Sequence, residues 1–212
     1  MIADLSHPIA PGMPVYPGDP EVDAEPALTL AEHGVAVTAL WLGSHSGTHA
    51  DAPSHSVAGG APIDAVALER LWGPARVLRA SAADDEQVAL AAVEAQLDDW
   101  SGERIALLAT GWDAHWGTAR MLRHPSVAPE LADALLALGV DVLGVDALSP
   151  DPTGADGAPT AFPVHERWLG SGGLILENLR GLGAIPDRIE LVALPLRLVG
   201  VDGSPVRAVA RW

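Results

Sequence analysis

The segment His45-Ser-Gly-Thr-His49-Ala-Asp51-Ala-Pro53-Ser-His55 gathers three of the chain's eight histidines and an aspartate. Imidazole nitrogen and carboxylate oxygen suit Zn²⁺, Mn²⁺ or Fe²⁺. The chain has no cysteine, which excludes a thiolate structural zinc site and leaves the ligand set of a catalytic metal. The four polar residues all carry odd numbers, so an extended backbone points them to one side. A helix would swing Asp51 away from the two histidines before it, at about 100° per residue. Gly47 and Pro53 also oppose a helix. Ten fully extended residues span about 33 Å, so the segment must bend for His55 to face the same ion as His45. Gly47 can supply unusual dihedrals, and Pro53 can fix the turn. A polar surface loop is the alternative; it suits single histidines better than three with an acid on one face.

Other elements must hold these residues. The run at 35–43 reads as a buried strand that ends at His45. Further strands are predicted at 75–79, 104–109, 141–145, 174–176, 189–199 and 206–210. Helices are predicted at 64–71, where Asp64 would cap, and at 84–97, 129–138 and 164–169. Strands alternating with helices imply an α/β fold with a partly parallel sheet. The first thirty residues, rich in Pro and Gly, read as an irregular arm. Residues 148–163 are long for a connector and read as either a lid or a surface excursion. Glu177 directly follows an apolar strand, at the carboxyl end where functional groups collect in parallel sheets. His165 opens a short helix. Taken singly, these two residues fit a rim charge and a helix-end histidine as well as they fit a site.

At 212 residues the chain is expected to form one domain with a core that needs no disulfides. Its formal charge of −16 argues against a nucleic-acid partner. No run reaches the roughly 18 apolar residues of a membrane span, and the first residues lack a basic leader pattern. The expectation is a soluble cytoplasmic protein with a small-molecule substrate. Trp112, Trp116 and Trp168 could line a pocket or fill the core, and His115 lies among them. His7, His33 and His124 are expected at the surface.

The segment at 45–55 matches, at every defining position, the H-x-G-T-H-x-D-x-P-x-H signature of the metal-dependent cyclase family, which includes bacterial kynurenine formamidases and isatin hydrolases. Val15-Tyr-Pro-Gly-Asp19, Thr110-Gly-Trp112, Gly144-Val-Asp-Ala-Leu-Ser149 and Ile175-Leu-Glu177-Asn178 resemble further segments of that family. The resemblance implies a swivelling β/β/α fold, a mixed sheet flanked by helices, in a homodimer or homotetramer. It implies two divalent ions per subunit, zinc first and manganese as the alternative. His45, His49 and Asp51 would hold one ion, and Asp51, His165 and Glu177 the other. Asp51 and Glu177 would bridge, since a carboxylate offers one oxygen to each cation. His55 would donate and accept the proton. Tyr16 stands where the kynurenine formamidase pattern has a tryptophan against the substrate. The implied reaction is hydrolysis of an aryl formamide, with N-formyl-L-kynurenine giving L-kynurenine and formate. An isatin-type lactam or lactone hydrolase and a natural-product cyclase are the alternatives, and a non-catalytic metal-stabilised binding module is the competing class.

Overall fold

The structure is a computed structural model describing residues 1–154 and 161–212. Its strands are β1 (Ile2–Asp4), β2 (Asp23–Leu28), β3 (Val37–Trp41), β4 (His49–Asp51), β5 (Trp72–Arg79), β6 (Gln87–Val88) and β7 (Ile105–Ala109). They continue with β8 (Ser126–Val127), β9 (Val142–Val145), β10 (Leu174–Glu177), β11 (Arg188–Val192), β12 (Gly203–Pro205) and β13 (Val209–Arg211). The α-helices are α1 (Leu30–His33), α2 (Pro129–Ala137) and α3 (Pro163–Gly170).

Nine strands form one mixed sheet in the order β1-β13-β11-β5-β7-β9-β10-β4-β12. β5, β7, β9 and β10 run parallel at its centre. Antiparallel strands extend it on both sides. Every residue of β7 is buried, as expected of a parallel strand covered on both faces. Its side chains alternate between two cores. Ile105 and Leu107 join Leu5, Val77, Leu174 and Leu176 on one face. Ala106 and Leu108 join Leu78, Ile175 and the helical residues Leu131, Leu135, Val164 and Trp168 on the other. α2 and α3 therefore lie on the second face, in an α/β fold of the class the strand–helix alternation implies.

Several expected elements take other forms. The run at 35–43 is not a buried strand: among the described residues β3 pairs only with β2, in an outlying ribbon that exposes Val37, Leu40 and Trp41. An apolar run does not reveal which face is covered, and β2 carries Pro26 and two acids that fit a sheet interior poorly. The strand that enters the main sheet is His49-Ala-Asp51 itself. Residues 84–97 form β6 and two short 3₁₀ turns instead of a helix. There the Gln96 side chain pairs with the Arg79 backbone in both directions, at 2.9 and 2.8 Å, and docks the segment on the end of β5. Residues 64–71 are two 3₁₀ turns, and Asp64 accepts from the Gly200 N–H instead of capping. The strand from 189 stops at Val192, and the run at 206–210 contributes only to β13. The expected lid falls across residues 155–160, which lie outside the described residues.

The N-terminal arm is more regular than its composition suggests, with β1 paired to β13 and β2 to β3. It is stapled to the sheet by Thr48. The Thr48 hydroxyl accepts the His7 N–H at 2.9 Å and donates to the Asn178 carbonyl at 2.6 Å. The His7 ring stacks on Trp116 with centroids 4.1 Å apart. His7 and His124 are thus buried, not superficial, while His33 is exposed. The His7 ring meets Trp116 and His124 Nε2 meets the Thr153 hydroxyl at 2.9 Å, partners from remote sequence that the local composition does not display. Trp112 and Trp168 are core residues.

Burial lowers the His7 pKa from 6.5 to about 4, with the Arg180 charge adding to the effect. The folded pKa lies below the unfolded one, so the unfolded chain takes up the proton first as pH falls. His7 therefore supports the fold above about 6.5, and that support fades as pH falls toward about 4. Urea-unfolding free energies measured across this window should decline with pH. His7→Asn should be less stable at neutral pH and show a shallower decline.

Candidate active site

β4 lies antiparallel to β10, with His49 opposite Glu177 and Asp51 opposite Ile175. Directly opposed residues project to the same face, and alternate residues along a strand do likewise. His49, Asp51 and Glu177 therefore emerge together on the helical face, while Ala50 and Leu176 enter the opposite core. α3 packs over the helical face through Val164, Trp168 and Leu169, and brings His165 onto Asp51 and Glu177. The buried Asp151 carboxylate accepts from the backbone N–H groups of Val164 and His165, at 2.8 and 2.9 Å, and so anchors the start of α3.

His45 and His55 arrive from the two ends of β4. Gly47, at φ +67, turns the chain between His45 and the strand. The His45 ring then rests against Gly203, where any Cβ would stand 2.8 Å from the ring's Cε1. Pro53 opens the 3₁₀ turn Pro53–His55, which returns the His55 ring to 4.1 Å from that of His45. Both bends fall where the sequence places them. His45 itself sits in a turn before β4, not at the end of a buried strand.

One nitrogen of each ligand-type imidazole faces the carboxylates. His45 Nδ1 lies 2.8 Å from Asp51 Oδ1. His49 Nε2 lies 3.2 Å from the same oxygen and 3.3 Å from Glu177 Oε2. His165 Nε2 lies 3.3 Å from Glu177 Oε1 and 3.7 Å from Asp51 Oδ2. Each opposite nitrogen has its own acceptor: Asp202 Oδ2 at 2.9 Å for His45, the Gly47 carbonyl at 2.9 Å for His49, and Asp151 Oδ2 at 2.7 Å for His165. An outer acceptor fixes the tautomer and turns the other lone pair inward, as metal-ligating histidines require. Among the described residues, His49 Nε2, Asp51 Oδ2 and Glu177 Oε1 are buried without a hydrogen-bond partner. Such orphaned atoms are costly unless something polar or charged satisfies them. His45, His49 and Asp51 form one group that could hold a divalent ion; Asp51, His165 and Glu177 form a second. The residues fit the expected metals, and Asp51 stands in both groups.

The electrostatics point the same way. Burial opposes charge on His49 and His165, yet the carboxylates around them raise both pKa values well above the usual imidazole range. Burial also opposes charge on Asp51, and the imidazoles nonetheless hold it well below the usual carboxylate range. The pocket thus favours positive charge among its acids, which protons or divalent cations can supply. Burial pushes the Asp19 carboxyl up, against the pull of His45, His49 and His55.

Above this floor is a cavity of about 160 Å³, close to the roughly 150 Å³ hollow that accommodates one benzene ring. Pro14, Val15, Tyr16, Leu148 and Phe162 form its apolar side, with Asp19 among them. His55 stands at its rim with a third of its side chain exposed. The structure therefore brings together His45, His49, Asp51, His55, His165, Glu177 and Tyr16. Trp112, Trp116, Trp168 and His115 do not line the cavity. Sequence reasoning missed Asp202, Asp151, Asp19 and Phe162 as parts of the site. Asp19 lay within a quoted segment. Asp151 sits fourteen residues before His165, a separation no local spacing rule connects. Asp202 lies 157 residues from His45.

The family model "Cyclase" (Putative cyclase) matches residues 3–152, well over half of the chain. The chain belongs to the cyclase family. A kynurenine formamidase of Salinibacter ruber is 36% identical, with 99% of this chain and 97% of that protein covered. Among cyclase-family structures, an isatin hydrolase bound to the product analogue thioisatinate superposes with a TM-score of 0.87 at 26% identity, covering 99% of this chain and 91% of that one. A protein described as "predicted metal-dependent hydrolase" from Bacillus stearothermophilus gives 0.80 at 29% identity, covering 99% and 97%. The swivelling fold implied by the signature is thus the fold of this cyclase-family chain.

Asp51 offers one oxygen to each ligand group, so Asp51→Ala should empty both. Elemental analysis after loading with Zn²⁺ should find almost no bound metal. Wild-type stoichiometry in that variant would contradict a shared carboxylate.

Proposed function

We propose that the chain is a metal-dependent hydrolase of aryl formamides, with N-formyl-L-kynurenine as first substrate. The observation that carries this reading is the pair of donor groups sharing Asp51, their lone pairs turned inward beneath an apolar cavity with a histidine at its rim. The 36% identity to a kynurenine formamidase supports the reaction class. His45, His49 and Asp51 would hold one divalent ion, and Asp51, His165 and Glu177 a second. The chemistry such ions supply is Lewis-acid activation of water and of a carbonyl oxygen. Zinc is the first choice and manganese the second, since both accept this donor set.

The chain's own residues account for binding and proton movement. Val15, Tyr16, Leu148 and Phe162 take the aryl ring and keep bulk water from it. His55 Nδ1 faces Asp202 at 3.3 Å, which leaves Nε2 as the atom that exchanges a proton. It takes the proton of the attacking water and delivers it to the leaving nitrogen, a task suited to imidazole near neutral pH. Water then adds across the C–N bond, giving formate and an aryl amine. An isatin-type lactam hydrolase is the second reading. It is favoured by the isatin hydrolase superposition and by a cavity that suits a flat ring.

The same reading makes the protein a homodimer or homotetramer in the cytoplasm. The exposed Val37, Leu40 and Trp41 of the β2–β3 ribbon support self-association. Among the described residues no helix is long and apolar enough to cross a membrane.

The test is a panel of N-formylkynurenine, formanilide, isatin and simple lactones, assayed with Zn²⁺- or Mn²⁺-loaded protein. N-formylkynurenine should turn over fastest, with one formate released per amine. Silence across the panel, with metal bound, would favour the non-catalytic binding module. His55→Ala should keep its metal and lose about 10²- to 10⁴-fold in kcat. Full activity in that variant would remove His55 from the mechanism.

A further inference from the structure

Asp202 closes the loop before β12; neither donor group sharing Asp51 includes it, while with His45 and His55 it forms a third group of ligand-type atoms. Its backbone carbonyl accepts the Ala52 N–H at 2.9 Å, so the residue is tied to the chain just beyond β4. Carboxylate Oδ1 accepts the Ser44 hydroxyl at 2.9 Å. The other oxygen, Oδ2, lies 2.9 Å from His45 Nε2 and 3.3 Å from His55 Nδ1. His45 and His55 line the cavity and Asp202 does not, so the carboxylate stands behind the two rings, away from substrate. His49 and His165 have separate acceptors, the Gly47 carbonyl and Asp151, and neither acceptor also serves the rim histidine.

We propose that Asp202 is a positioning residue that, through a single carboxylate oxygen, sets the tautomer of both the ligand-type His45 and the proton-carrying His55. An N–H held at His45 Nε2 leaves its Nδ1 lone pair toward Asp51. An N–H held at His55 Nδ1 leaves Nε2 free to accept a proton, the role of the aspartate in a Ser-His-Asp triad. Gly203 completes the arrangement: a Cβ at 203 would stand 2.8 Å from the His45 ring, so glycine leaves the ring room in its present place. One acid thereby ties the geometry of the ion's ligand to that of the base. The inference rests on the proposed hydrolase reading for its His55 half, while its His45 half concerns metal binding alone.

The Asp202 side chain is 40% exposed, so truncating it should leave the fold intact. Asp202→Asn and Asp202→Ala are compared with wild type, His55→Ala and the double variant Asp202→Asn/His55→Ala, with melting temperatures as the control for folding. Zn²⁺ affinity is read by competition with a chromogenic chelator; kcat and KM are read with N-formylkynurenine on metal-saturated protein. Each Asp202 variant should weaken one of the bound ions about tenfold and lower kcat about 10- to 100-fold, the usual range for outer partners of ligating histidines. KM should stay within about twofold. Because Asp202 acts through His55, adding Asp202→Asn to His55→Ala should cost less than about twofold more in kcat. A loss that multiplies in full in the double variant overturns the His55 half. Unchanged Zn²⁺ affinity in both Asp202 variants overturns the His45 half. Loss of a third equivalent of metal in either variant also overturns the proposal, because Asp202 would then be a ligand with His45 and His55. If wild type is inert toward the whole panel, the hydrolase reading fails, and the chelator competition still decides the His45 half.

Discussion

His49 faces Glu177 across β4 and β10, and the site depends on that register. A slip of one residue would send His49 and Asp51 into the apolar core of Leu107 and Leu174, and Ala50 to the site. The register is pinned on both sides, because β12 pairs with the other edge of β4, Gly203 opposite Asp51. Ala50, fully buried in the opposite core, makes any slip costly. The apolar residue between two polar ones is therefore what holds His49 and Asp51 in place.

The charge balance follows from this placement. Two carboxylates and two imidazoles that are almost wholly buried cannot all be neutral and satisfied. The chain meets the problem by giving each inward-facing imidazole an outer acceptor, so its inner nitrogen needs no rearrangement to meet a cation. Asp151 serves twice, accepting from the start of α3 and from the His165 ring, so the helix and its histidine are fixed by one side chain. Preorganised donors of this kind act without further reorganisation when charge develops.

How much of this was readable from the chain depends on distance along it. The bends at Gly47 and Pro53, the parallel central strands and the helices read at 129–138 and 164–169 follow from local chemistry, and the structure bears them out to within a residue at each end. The strand-end place of Glu177 was readable locally, while its gathering with His165 and Asp51 was readable only through the family resemblance, since no local spacing joins the three. Two errors share a cause. The run at 35–43 looked buried because it is apolar, and 84–97 looked helical because its acids precede a run rich in Ala and Leu. Propensity carries no information on what covers a face or what docks on an edge. Asp202 was invisible for another reason: an exposed-looking acid beside a glycine has no local pattern, and its meaning comes from His45, which lies 157 residues away.

The floor and the roof of the cavity come from different parts of the chain. β4, β10 and α3 build the floor, and residues 14–19 with Leu148 and Phe162 build the roof. Thr48 bonds to both the arm and the chain just after β10, and Leu5 and Ser6 of the arm also pair with that segment. Such an architecture lets ring preference drift through exchanges in the arm while the polar floor stays as it is. Relatives bearing names as different as kynurenine formamidase and isatin hydrolase match this chain over 99% of its length, floor and cover alike.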